Sequence, residues 1–412
     1  MKIAYITAQV PWGCGEAFIL EELLEMKRRD VRLLVIPRNP GIRVFHKAAR
    51  ELLENSIWLR IANFRIAIVC FKALLTSALL WRILETLITC SRNLFMLLKN
   101  LVVFPKAVFV ADLLKRKKIG HIHAHWGSTT STMAYIISEL TGIPWSLTLH
   151  RWDIKENNML KEKVASAKFV RCISKHGKNE LLILVGKQYN DKIKIIHAGV
   201  KIPEYTVLMP EQKLRIRQYF TIITPANLLQ VKGHKHLIEA CSILVNQNIK
   251  NFQCIFYGEG HLKQELQWLV AKEGLNDYVQ FAGVIPHERL IKMYREQQVD
   301  IVILPSIITE QGEHEGIPVS LMEAMSYGIP VISTNTGGIP ELLSGGAGII
   351  VDEKSAQQLA DAIIKLMTDL RYSTETSKKG WLRIVEEFDI KKICQSLSSL
   401  IQNSYSRVFV GR

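Results

Sequence analysis

Two glutamates, Glu315 and Glu323, flank the start of a predicted helix within EHEGIPVSLMEAMSYGIPVIST (313–334). The first backbone amides of that helix, those of Val319 and Ser320, have no intrahelical acceptor, which suits them to bind a phosphate. A rise of about 1.5 Å per residue separates the two carboxylates by up to about 12 Å, so they would hold the two ends of one elongated ligand. The alternative is that both acids only complement the helix dipole.

Lys232 lies in a second such segment, ANLLQVKGHKHLIEA (226–240), between a predicted strand and a predicted helix. Its ammonium group could neutralise a diphosphate oxygen, and a solvated surface lysine is the alternative. Gly258 lies in YGEG (257–260) after the next predicted strand, where the missing side chain would let the backbone approach a ligand. A tight turn from strand to helix explains these glycines equally well.

Three histidines alternate in HIHAHW (121–126), so His121, His123 and His125 would share one face of a strand. They could bind a metal ion, but no acid or cysteine close in sequence completes a ligand set, and a buried strand is the favoured alternative. His125 is nearest to the carboxyl end of its strand, where parallel sheets bind their ligands.

His150 and Asp153 follow the next apolar run. Their hydrogen-bonding groups could orient sugar hydroxyls, and a strand-terminating turn with an aspartate cap is the alternative. Gly13 and Gly15 follow the first apolar run, in PWGCGEAF (11–18), and would let a ligand lie close to the backbone. All four residues would therefore lie just after a predicted strand of the first half, two after the strand 2–8 and two at the end of the strand 145–150.

Strand-length apolar runs alternate with amphipathic stretches of helix length in both halves of the chain, which predicts an α/β protein with two parallel, Rossmann-like sheets. The predicted strands are 2–8, 31–37, 121–126, 145–150, 168–174, 192–199, 220–227, 252–258, 279–284, 300–306, 329–334 and 347–352. We expect two domains, 1–200 and 201–385, that face a cleft. A helical run, 386–412, would cross back to the first.

The 412 residues are 48% hydrophobic and 22% charged, which excludes disordered and collagen-like classes. Seven scattered cysteines favour a reducing compartment, and the first residues lack the pattern of a signal peptide. Of the net charge of +15, +10 comes from residues 43–118, with fourteen Lys and Arg against four Asp and Glu. Because this basic insertion is also apolar, it favours an anionic membrane surface over nucleic acid.

The basic insertion (43–118) contains no predicted strand. Polar positions that recur every three or four residues from Arg82 to Lys106 predict one helix with a wide apolar face. Two or more charges in each 20-residue window argue against a transmembrane span. We expect the helix to lie on a membrane, and packing of its apolar face on the first domain is the alternative.

Together these motifs resemble glycosyltransferase family 4, whose members are retaining enzymes with the GT-B fold that use nucleotide sugars. The most specific mark is the pair Glu315 and Glu323, with seven residues between them, in a run that continues into TGGIPELL. KGHKHLIEA, YGEGHLKQEL, VILPS and HIHAHWGSTTSTMAYIISELTGIP also fit, so the resemblance covers nearly the whole chain. Within the family the chain is most similar to the colanic-acid and amylovoran-type exopolysaccharide enzymes.

The resemblance implies roles for the residues around the predicted helix start. Glu315 would hold hydroxyls of the donor sugar, and Glu323 would hold the ribose of the nucleotide. Lys232 and the amides of Val319 and Ser320 would neutralise the leaving diphosphate. Because a lysine and a helix dipole would supply this charge, the resemblance implies neither a metal nor another cofactor.

Further roles follow from the same resemblance. His150 and Asp153 would contact the donor sugar, and the glycines Gly13 and Gly15 would let a loop approach the diphosphate. The loop that begins at Gly283 would face the base. The partners implied are a nucleotide-sugar donor, a lipid-linked saccharide acceptor and the inner face of the cytoplasmic membrane.

Asn227 departs from the family pattern, which usually has an arginine beside the diphosphate. Stabilising a developing anion is commonly worth a few kcal/mol, so Lys235 or Arg151 would have to supply the missing charge. Without such a substitute the chain would be a weakened member that serves as a binding subunit of a polysaccharide assembly complex. A sugar-nucleotide 2-epimerase shares the fold, but the basic insertion argues against that activity.

Overall fold

The computed structural model describes residues 2–13, 16–29, 31–203 and 219–409. The chain forms two compact units, one of residues 1–199 with 390–412 and one of residues 200–389. Gly15, a predicted site residue, lies outside the described residues, as do residues 204–218.

The first unit is built on a six-stranded parallel sheet with the strand order β2-β1-β3-β4-β5-β6. Its elements are β1 (Lys2–Thr7), α1 (Ala17–Arg28), β2 (Arg32–Pro37), α2 (Phe64–Thr76), α3 (Ala78–Cys90), α4 (Leu94–Arg116), β3 (His121–His125), α5 (Thr129–Thr141), β4 (Trp145–Leu149), α6 (Arg151–Glu156), α7 (Leu160–Ser166), β5 (Phe169–Cys172), α8 (Lys175–Val185) and β6 (Ile193–Ile195). Ala4 and Ile6 face one hydrophobic core while Ile3 and Tyr5 face another, so β1 is buried on both faces.

The second unit repeats this plan, with the strand order β12-β11-β10-β7-β8-β9 in a second parallel sheet. Its elements are β7 (Phe220–Pro225), α9 (His234–Asn246), β8 (Phe252–Tyr257), α10 (Lys263–Lys272), β9 (Val279–Gly283), α11 (His287–Arg295), β10 (Ile301–Leu304), α12 (Val319–Ser326), β11 (Val331–Thr334), α13 (Ile339–Leu342), β12 (Ile349–Val351), α14 (Ala356–Thr368) and α15 (Leu370–Arg383). Each of the twelve predicted apolar runs contains one of the observed strands. The predicted class, α/β with two Rossmann-like parallel sheets, is confirmed.

The last helix, α16 (Ile390–Phe409), belongs to the first unit although it follows the second in sequence. Cys394 and Leu397 of α16 are buried in one core with Leu23 of α1 and Tyr5 of β1. The final helix therefore covers one face of the first sheet.

The basic insertion is helical, but the single helix predicted over 82–106 is wrong. Helix α3 ends at Cys90, and Asn93 then caps α4 by accepting a hydrogen bond from the backbone N–H of Met96 at 2.9 Å. The predicted polar stripe requires one continuous helix, in which residues three or four apart lie on the same face. The break between α3 and α4 ends that regular spacing. As a result Met96 and Lys106, both expected on that stripe, are buried.

Lys106 is therefore an internal cation and not part of a membrane-facing surface. Its ammonium donates to the backbone carbonyl oxygens of Pro37 at 2.7 Å, of Arg38 at 2.9 Å and of Leu59. Burial, assisted by the charge of Arg38, lowers the pKa of Lys106 to about 7. Much of α4 accordingly packs inward on the first unit, which is the alternative that the sequence left open.

The outer surface of the basic insertion is unusually apolar. Large side chains at least half exposed to solvent include Phe64, Phe71, Leu75, Trp81, Ile88, Leu94, Phe95 and Leu98. Basic side chains are interspersed among them, at Arg65, Lys72, Arg82 and Arg92. This exposed apolar surface, which we call the insertion patch, is the feature of the fold that favours contact with lipid.

Among the described residues, α4 is long and apolar enough to cross a membrane, but half of its most apolar window is buried within the unit. Helices α2 and α3 would pass the same test as one broken span, and they are bent by 106° relative to one another. The buried core helix of a soluble protein has the same length and composition, so these segments are weak evidence for a span.

Candidate functional site

Lys232 ends a short 3₁₀ turn, Gln230–Lys232, that joins β7 to α9. Gly233 follows with φ of +68°, a conformation that favours glycine. A Cβ atom at Gly233 would lie 1.8 Å from the carbonyl oxygen of Pro305, directly after β10. The glycine therefore lets the Lys232 turn pack on the backbone that follows β10, and this contact fixes the position of Lys232.

The ammonium of Lys232 donates a hydrogen bond to the Glu315 carboxylate, and the two form an ion pair. Their side chains remain 21% and 16% exposed, so the pair is accessible from solvent. The sequence singled out these two residues separately, as a diphosphate cation and a sugar-binding carboxylate. The structure places them in direct contact within the second unit, 83 positions apart in sequence.

The backbone of Glu315 is held by the TGG turn that follows β11. A Cβ atom at Gly337, whose φ is +54°, would lie 1.9 Å from the Glu315 carbonyl oxygen. Gly338 N–H donates to that same oxygen at 3.4 Å, and His314 Nδ1 lies 2.9 Å from it. The glycines of TGGIPELL thus position Glu315 through close backbone contact.

Helix α12 begins at Val319, as predicted, with Pro318 as its N-cap. Its first intrahelical hydrogen bond runs from Met322 N–H to the Pro318 carbonyl at 3.3 Å. The amides of Val319 and Ser320 precede that bond and have no intrahelical acceptor. They are four and five residues beyond Glu315, which places two backbone donors close to the ion pair along the chain.

Glu323 lies on α12 and contacts His287, the first residue of α11, with 2.8 Å between Oε1 and Nε2. Sequence reasoning did not single out His287, because nothing in PHERL marks it as a partner of a carboxylate 36 positions away. The contact fixes the Glu323 side chain, which is 19% exposed.

Two further predicted residues of the second unit are explained by backbone geometry. A Cβ atom at Gly258 would lie 2.1 Å from the Ala226 carbonyl oxygen, so the tight turn accounts for this glycine. Gly283 has φ of +69° at the end of β9. Asn227 is exposed and uncharged, and the nearby Lys235 pairs with Glu239 at 4.0 Å.

In the first unit, His150 follows β4 and belongs to a buried chain of polar groups. Its Nε2 lies 2.8 Å from Nε2 of His125, and Nδ1 of His125 lies 2.9 Å from the Tyr5 hydroxyl. Tyr5 donates its hydroxyl proton to Glu22 at 2.5 Å. Arg171 ends the chain by donating to the other Glu22 oxygen at 2.6 Å.

Charge and burial decide the protonation along this chain. The Arg171 guanidinium and the Tyr5 hydroxyl outweigh desolvation and hold the pKa of Glu22 below its ordinary value. Burial lowers the pKa of His125 well below its ordinary value, and burial, assisted by the charge of Arg171, lowers that of His150 to about 3. At neutral pH Glu22 is therefore ionised and both imidazoles are neutral.

These states fix the tautomer of His150. Tyr5 donates its only hydroxyl proton to Glu22, so its oxygen can only accept a hydrogen bond from His125. The ring proton of His125 is therefore on Nδ1. The Nε2 atom of His125 then carries a lone pair, so His150 must donate its own Nε2–H. The Nδ1 atom of His150 therefore carries the lone pair of the ring.

Asp153 lies in the first turn of α6 and is buried. Its Oδ2 accepts from the backbone N–H of His150 at 2.8 Å, and the two residues form a capping box. Burial raises the pKa of Asp153 to about 7, against the opposing effect of hydrogen bonds from the His150 and Gly127 backbone. This is the aspartate cap that the sequence left as the alternative to sugar binding.

The other two strand histidines are also buried and hydrogen-bonded. His121 contacts Ser146 at 2.8 Å and Ser404 of α16 at 3.0 Å. His123 contacts the same Ser146 hydroxyl at 2.8 Å and Thr148 at 2.9 Å. Every ring nitrogen of the three alternating histidines thus has a hydrogen-bonding partner, which favours the buried-strand alternative over a metal site.

The loop after β1 is held by Glu16, whose carboxylate accepts from the backbone N–H groups of Ala8, Gln9 and Val10 at 2.7–3.2 Å. The Trp126 indole also donates to Glu16, at 2.7 Å. A Cβ atom at Gly13 would lie 2.6 Å from that of Gln9, so this glycine accommodates its own loop.

Residues 209–381 match the family described as Glycosyl transferases group 1. They form a glycosyl transferases group 1 domain. This group 1 domain contains the Lys232–Glu315 ion pair, the start of α12 and the Glu323–His287 contact. The donor-binding residues predicted in the second half of the sequence therefore lie in one recognised domain.

Relatives of the chain include two enzymes of polysaccharide biosynthesis. Over 282 residues it is 29% identical to the amylovoran biosynthesis glycosyltransferase AmsK of Erwinia amylovora, matching 66% of this chain and 65% of AmsK. It is 33% identical to WcaL of Salmonella typhimurium, named for colanic acid biosynthesis, over 52% of this chain and 51% of WcaL. The matches thus span about half to two thirds of these relatives.

Solved structures match nearly the whole chain. HepE of Anabaena, solved in complex with UDP, has a TM-score of 0.71 at 19% identity and covers 98% of this chain and 100% of HepE. A glycosyltransferase from Rickettsia africae ESF-5 has a TM-score of 0.67 at 19% identity, covering 98% of both chains. At such identity the likeness establishes the fold alone, which is the predicted two-domain GT-B fold.

Proposed function

We propose that the protein is a retaining glycosyltransferase that moves a sugar from a nucleoside diphosphate donor to a growing exopolysaccharide or other cell-surface saccharide. The observation that supports this most directly is the Lys232–Glu315 ion pair, four residues before the first free amide of α12 within a group 1 domain. It joins a cation to an anchored carboxylate, and two helix-start backbone donors follow that carboxylate by four and five residues in sequence.

The reaction would depend on stabilising the leaving group. When the bond between the anomeric carbon and the diphosphate breaks, the electron pair departs with the diphosphate. The Lys232 ammonium and the amides of Val319 and Ser320 would neutralise that charge, a contribution that is often worth about 3–4 kcal/mol per donor. Glu315 would exchange its contact with Lys232 for hydroxyls of the donor sugar.

Other donor contacts are proposed for residues that the structure holds in place. Glu323 would bind the ribose, and the turn at Gly283 would face the base. Gly258 and Asn227 would lie beside the diphosphate. We propose that no metal ion is required, so treatment with EDTA should leave transfer unchanged, and a strong loss of activity would contradict this assignment.

Residues of the first unit would act on the same reaction. We propose that His150 and Asp153 contact the donor sugar and that the loop containing Gly13 and Gly15 approaches the diphosphate. The chain of hydrogen bonds behind His150 would set its orientation and its tautomer in advance, which lowers the cost of reaching the reactive arrangement.

We further propose that the acceptor is lipid-linked and that the protein works on the inner face of the cytoplasmic membrane. The insertion patch supports this, because exposed aromatic and aliphatic side chains interspersed with Arg and Lys are typical of surfaces that lie on anionic lipid.

The test is transfer from a panel of UDP-, GDP- and ADP-sugars to a membrane extract as acceptor, with Glu315→Gln compared with Glu310→Gln. Glu310 is an exposed acid in the same loop and serves as the matched control. We expect Glu315→Gln to lose nearly all transfer while Glu310→Gln retains it. Equal activity of the two variants would refute the assignment of Glu315.

A binding subunit without catalytic activity is the second candidate, and the exposed, uncharged Asn227 favours it. Such a protein would bind a nucleotide sugar in a thermal-shift assay yet show neither transfer nor hydrolysis with any donor of the panel. Turnover with one donor would decide for the enzyme.

A further inference from the structure

The buried Glu16 carboxylate, just before α1, accepts four hydrogen bonds, two at each oxygen. Its Oε1 accepts from the backbone N–H of Ala8 at 3.2 Å and from the indole N–H of Trp126 at 2.7 Å. Its Oε2 accepts from the backbone N–H groups of Gln9 at 2.7 Å and Val10 at 2.9 Å. A glutamine would have an NH₂ group in place of one oxygen, and since that group donates, it would satisfy only one of the two pairs.

These four donors come from two separate segments of the chain. Ala8, Gln9 and Val10 belong to the loop after β1, whereas Trp126 directly follows β3 and is 110 positions from Glu16 in sequence. The strands β1 and β3 pair side by side, which brings the two segments together. Glu16 therefore does more than hold its own loop, because it also fixes a side chain at the end of the neighbouring strand.

Trp126 has φ of +81°, a conformation that large side chains rarely adopt. Its backbone N–H donates to the Thr148 carbonyl at 3.1 Å, and its carbonyl accepts from the Thr130 hydroxyl at 2.8 Å. The indole bond to Glu16 is the third constraint. A strained residue persists only where its surroundings fix it in this way, and such residues cluster at functional sites.

The strained conformation places the indole of Trp126 against the imidazole of His150. The two ring centroids are 4.5 Å apart, and the ring planes are inclined by 35°. Phe18, two residues after Glu16, lies 5.4 Å from the His150 ring and 5.8 Å from the Trp126 ring. The hydrogen bond between His150 and His125 holds one atom of the imidazole, and the two flanking rings restrict its rotation about that bond.

We propose that Glu16 and Trp126 are positioning residues for His150: the carboxylate fixes the indole, and the indole fixes the plane of the imidazole. The inference rests on the proposed function for the contact between His150 and the donor sugar. The positioning itself can be measured without a substrate. The competing explanation is that Glu16 only anchors the loop after β1, in which case the Trp126 bond is incidental.

Two variants break the same hydrogen bond from opposite ends. Glu16→Gln removes one acceptor oxygen, and its matched control is Glu21→Gln, a partly exposed glutamate of α1. Trp126→Phe removes the indole donor but leaves the three backbone donors to Glu16. Its matched control is Trp58→Phe, an exposed indole that donates to the Gly41 carbonyl at 3.1 Å. Melting temperatures identify any variant that fails to fold.

The first measurement is the NMR spectrum of the full chain with ¹³C-labelled histidine, in which His150→Gln identifies the His150 ring signals among those of twelve histidines. Glu16→Gln leaves the indole, Phe18 and His125 in the sequence, so a change at His150 must come from a change in their positions. We expect the His150 ring signals to shift and broaden in Glu16→Gln and to stay unchanged in Glu21→Gln. Unchanged His150 signals in a folded Glu16→Gln chain would overturn the proposal.

The double variant separates positioning from anchoring of the loop. If Glu16 acts on His150 through the indole, Glu16→Gln should change the His150 signals of the Trp126→Phe chain no further, because the shared bond is already lost. If Glu16 acts only through its loop, the two substitutions should have additive effects on the His150 signals. Additive effects would therefore refute the assignment of Trp126 as the intermediate.

The second measurement is sugar transfer. We expect Glu16→Gln and Trp126→Phe each to lower kcat by about tenfold or more and to change the KM for the donor by less than about twofold, because a misdirected imidazole affects the reactive arrangement more than ground-state binding. Glu21→Gln and Trp58→Phe should retain the kcat of the unaltered chain. An equal loss in KM and kcat for the control variants would show a general structural effect and would contradict the proposal.

The two measurements distinguish failure of this inference from failure of the proposed function. If the unaltered chain transfers no sugar from any donor but Glu16→Gln still moves the His150 signals, the proposed function fails and the positioning stands. If the His150 signals move while kcat does not fall, the contact of His150 with the donor sugar is wrong. If transfer is normal in both variants and the His150 signals are unchanged, the positioning is wrong and the proposed function stands.

Discussion

The Nε2 atoms of His125 and His150 lie 2.8 Å apart, and a single proton must lie between them. Because burial keeps both rings neutral, that proton belongs to His150 only as long as Tyr5 holds the His125 proton on the opposite nitrogen. The tautomer of His150, which follows β4, is thus set by the carboxylate of Glu22 on α1 through Tyr5 and His125.

Tyr5→Phe should therefore mix the tautomers of His150. Without the hydroxyl, nothing fixes the proton of His125 on Nδ1, so the pair can share its proton in either direction. The ¹⁵N shifts of labelled histidine should show His150 protonated on Nε2 in the parent chain and partly on Nδ1 in the variant. We also expect transfer to fall by about tenfold or more.

Tyr189→Phe serves as the control, because Tyr189 is a half-buried tyrosine at the end of the 3₁₀ turn Lys187–Tyr189, outside this chain of groups. It should change neither the shifts nor the activity. If Tyr5→Phe leaves the His150 shifts unaltered, the tautomer is set by some other contact.

Gly233→Ala should destabilise the second unit and misplace Lys232. The added Cβ would lie 1.8 Å from the Pro305 carbonyl oxygen, so the turn must move, in addition to the cost of about 1–2 kcal/mol for a left-handed alanine. Gly274→Ala is a close control, because its φ is also +68° but nothing lies within 4 Å of the added atom. Calorimetry should show a clearly larger drop in melting temperature for Gly233→Ala, and equal drops would argue against the packing contact.

Lys232→Gln should reduce kcat by about 10²–10³-fold if its ammonium stabilises the departing diphosphate. The comparison is Lys235→Gln, an exposed neighbour whose partner Glu239 is 4.0 Å away. A small effect at Lys235 is expected. A large effect there would identify Lys235 as the replacement for the arginine that Asn227 displaces, and a small effect at Lys232 would remove it from the mechanism.

Replacing Phe64, Phe71 and Trp81 of the insertion patch by serine should release the protein from vesicles of phosphatidylglycerol and phosphatidylcholine. Each large side chain that enters lipid contributes about 1.5–3 kcal/mol, so the triple variant should bind at least about 100-fold more weakly in a sedimentation assay. Ile183, Trp268 and Val284 are equally exposed outside the basic insertion, and their serine variants should sediment normally. If the parent chain never sediments with the vesicles, the membrane proposal fails.

Thermal stability should fall as the pH decreases from 6.5 towards 5. Burial lowers the pKa values of His121 and His150 to about 3 and those of His123 and His125 well below normal, whereas unfolded histidines titrate near about 6.5. In this window the unfolded chain binds more protons, so acid favours unfolding by up to about 1.4 kcal/mol per histidine and pH unit.

Asp153 opposes this trend, because its pKa of about 7 means that the folded chain keeps a carboxyl proton that the unfolded chain loses. Asp153→Asn should therefore steepen the loss of melting temperature on acidification, measured by calorimetry at pH 7, 6 and 5. A melting temperature that rises between pH 6.5 and 5 would contradict the buried, neutral state of the histidines.

The sheets were predictable because burial on both faces favours an unbroken apolar run in a parallel strand, as the four buried residues Ile-Val-Ile-Leu of β10 illustrate. The sequence motifs also predicted that Lys232, Glu315 and His150 lie in segments that follow strands, and each of them does. The break at Asn93 was missed, since its cap lies inside a pattern of helical period that continues past it. No feature of the sequence around Lys106 predicts that its ammonium donates to the distant backbone carbonyls of Pro37, Arg38 and Leu59.

The polar chain behind His150 was hidden for a related reason. Glu22 and Arg171 are 149 positions apart, and only the fold brings them together. Glu22 by itself reads as one of many acids on an amphipathic helix, and its partner looks like an ordinary basic residue in a strand. Long-range pairing of buried charges leaves no trace in spacing, so a single sequence cannot reveal it.

Helix α16 follows the whole second unit in sequence, yet it covers a core that contains β1 of the first unit. During translation the ribosome must therefore complete residues 200–389 before β1 and α1 can bury Tyr5 and Leu23 beneath Cys394 and Leu397. The nascent amino-terminal half should spend that interval with an uncovered hydrophobic face, which makes it a natural client for chaperones and the part of the polypeptide most prone to aggregate when elongation stalls.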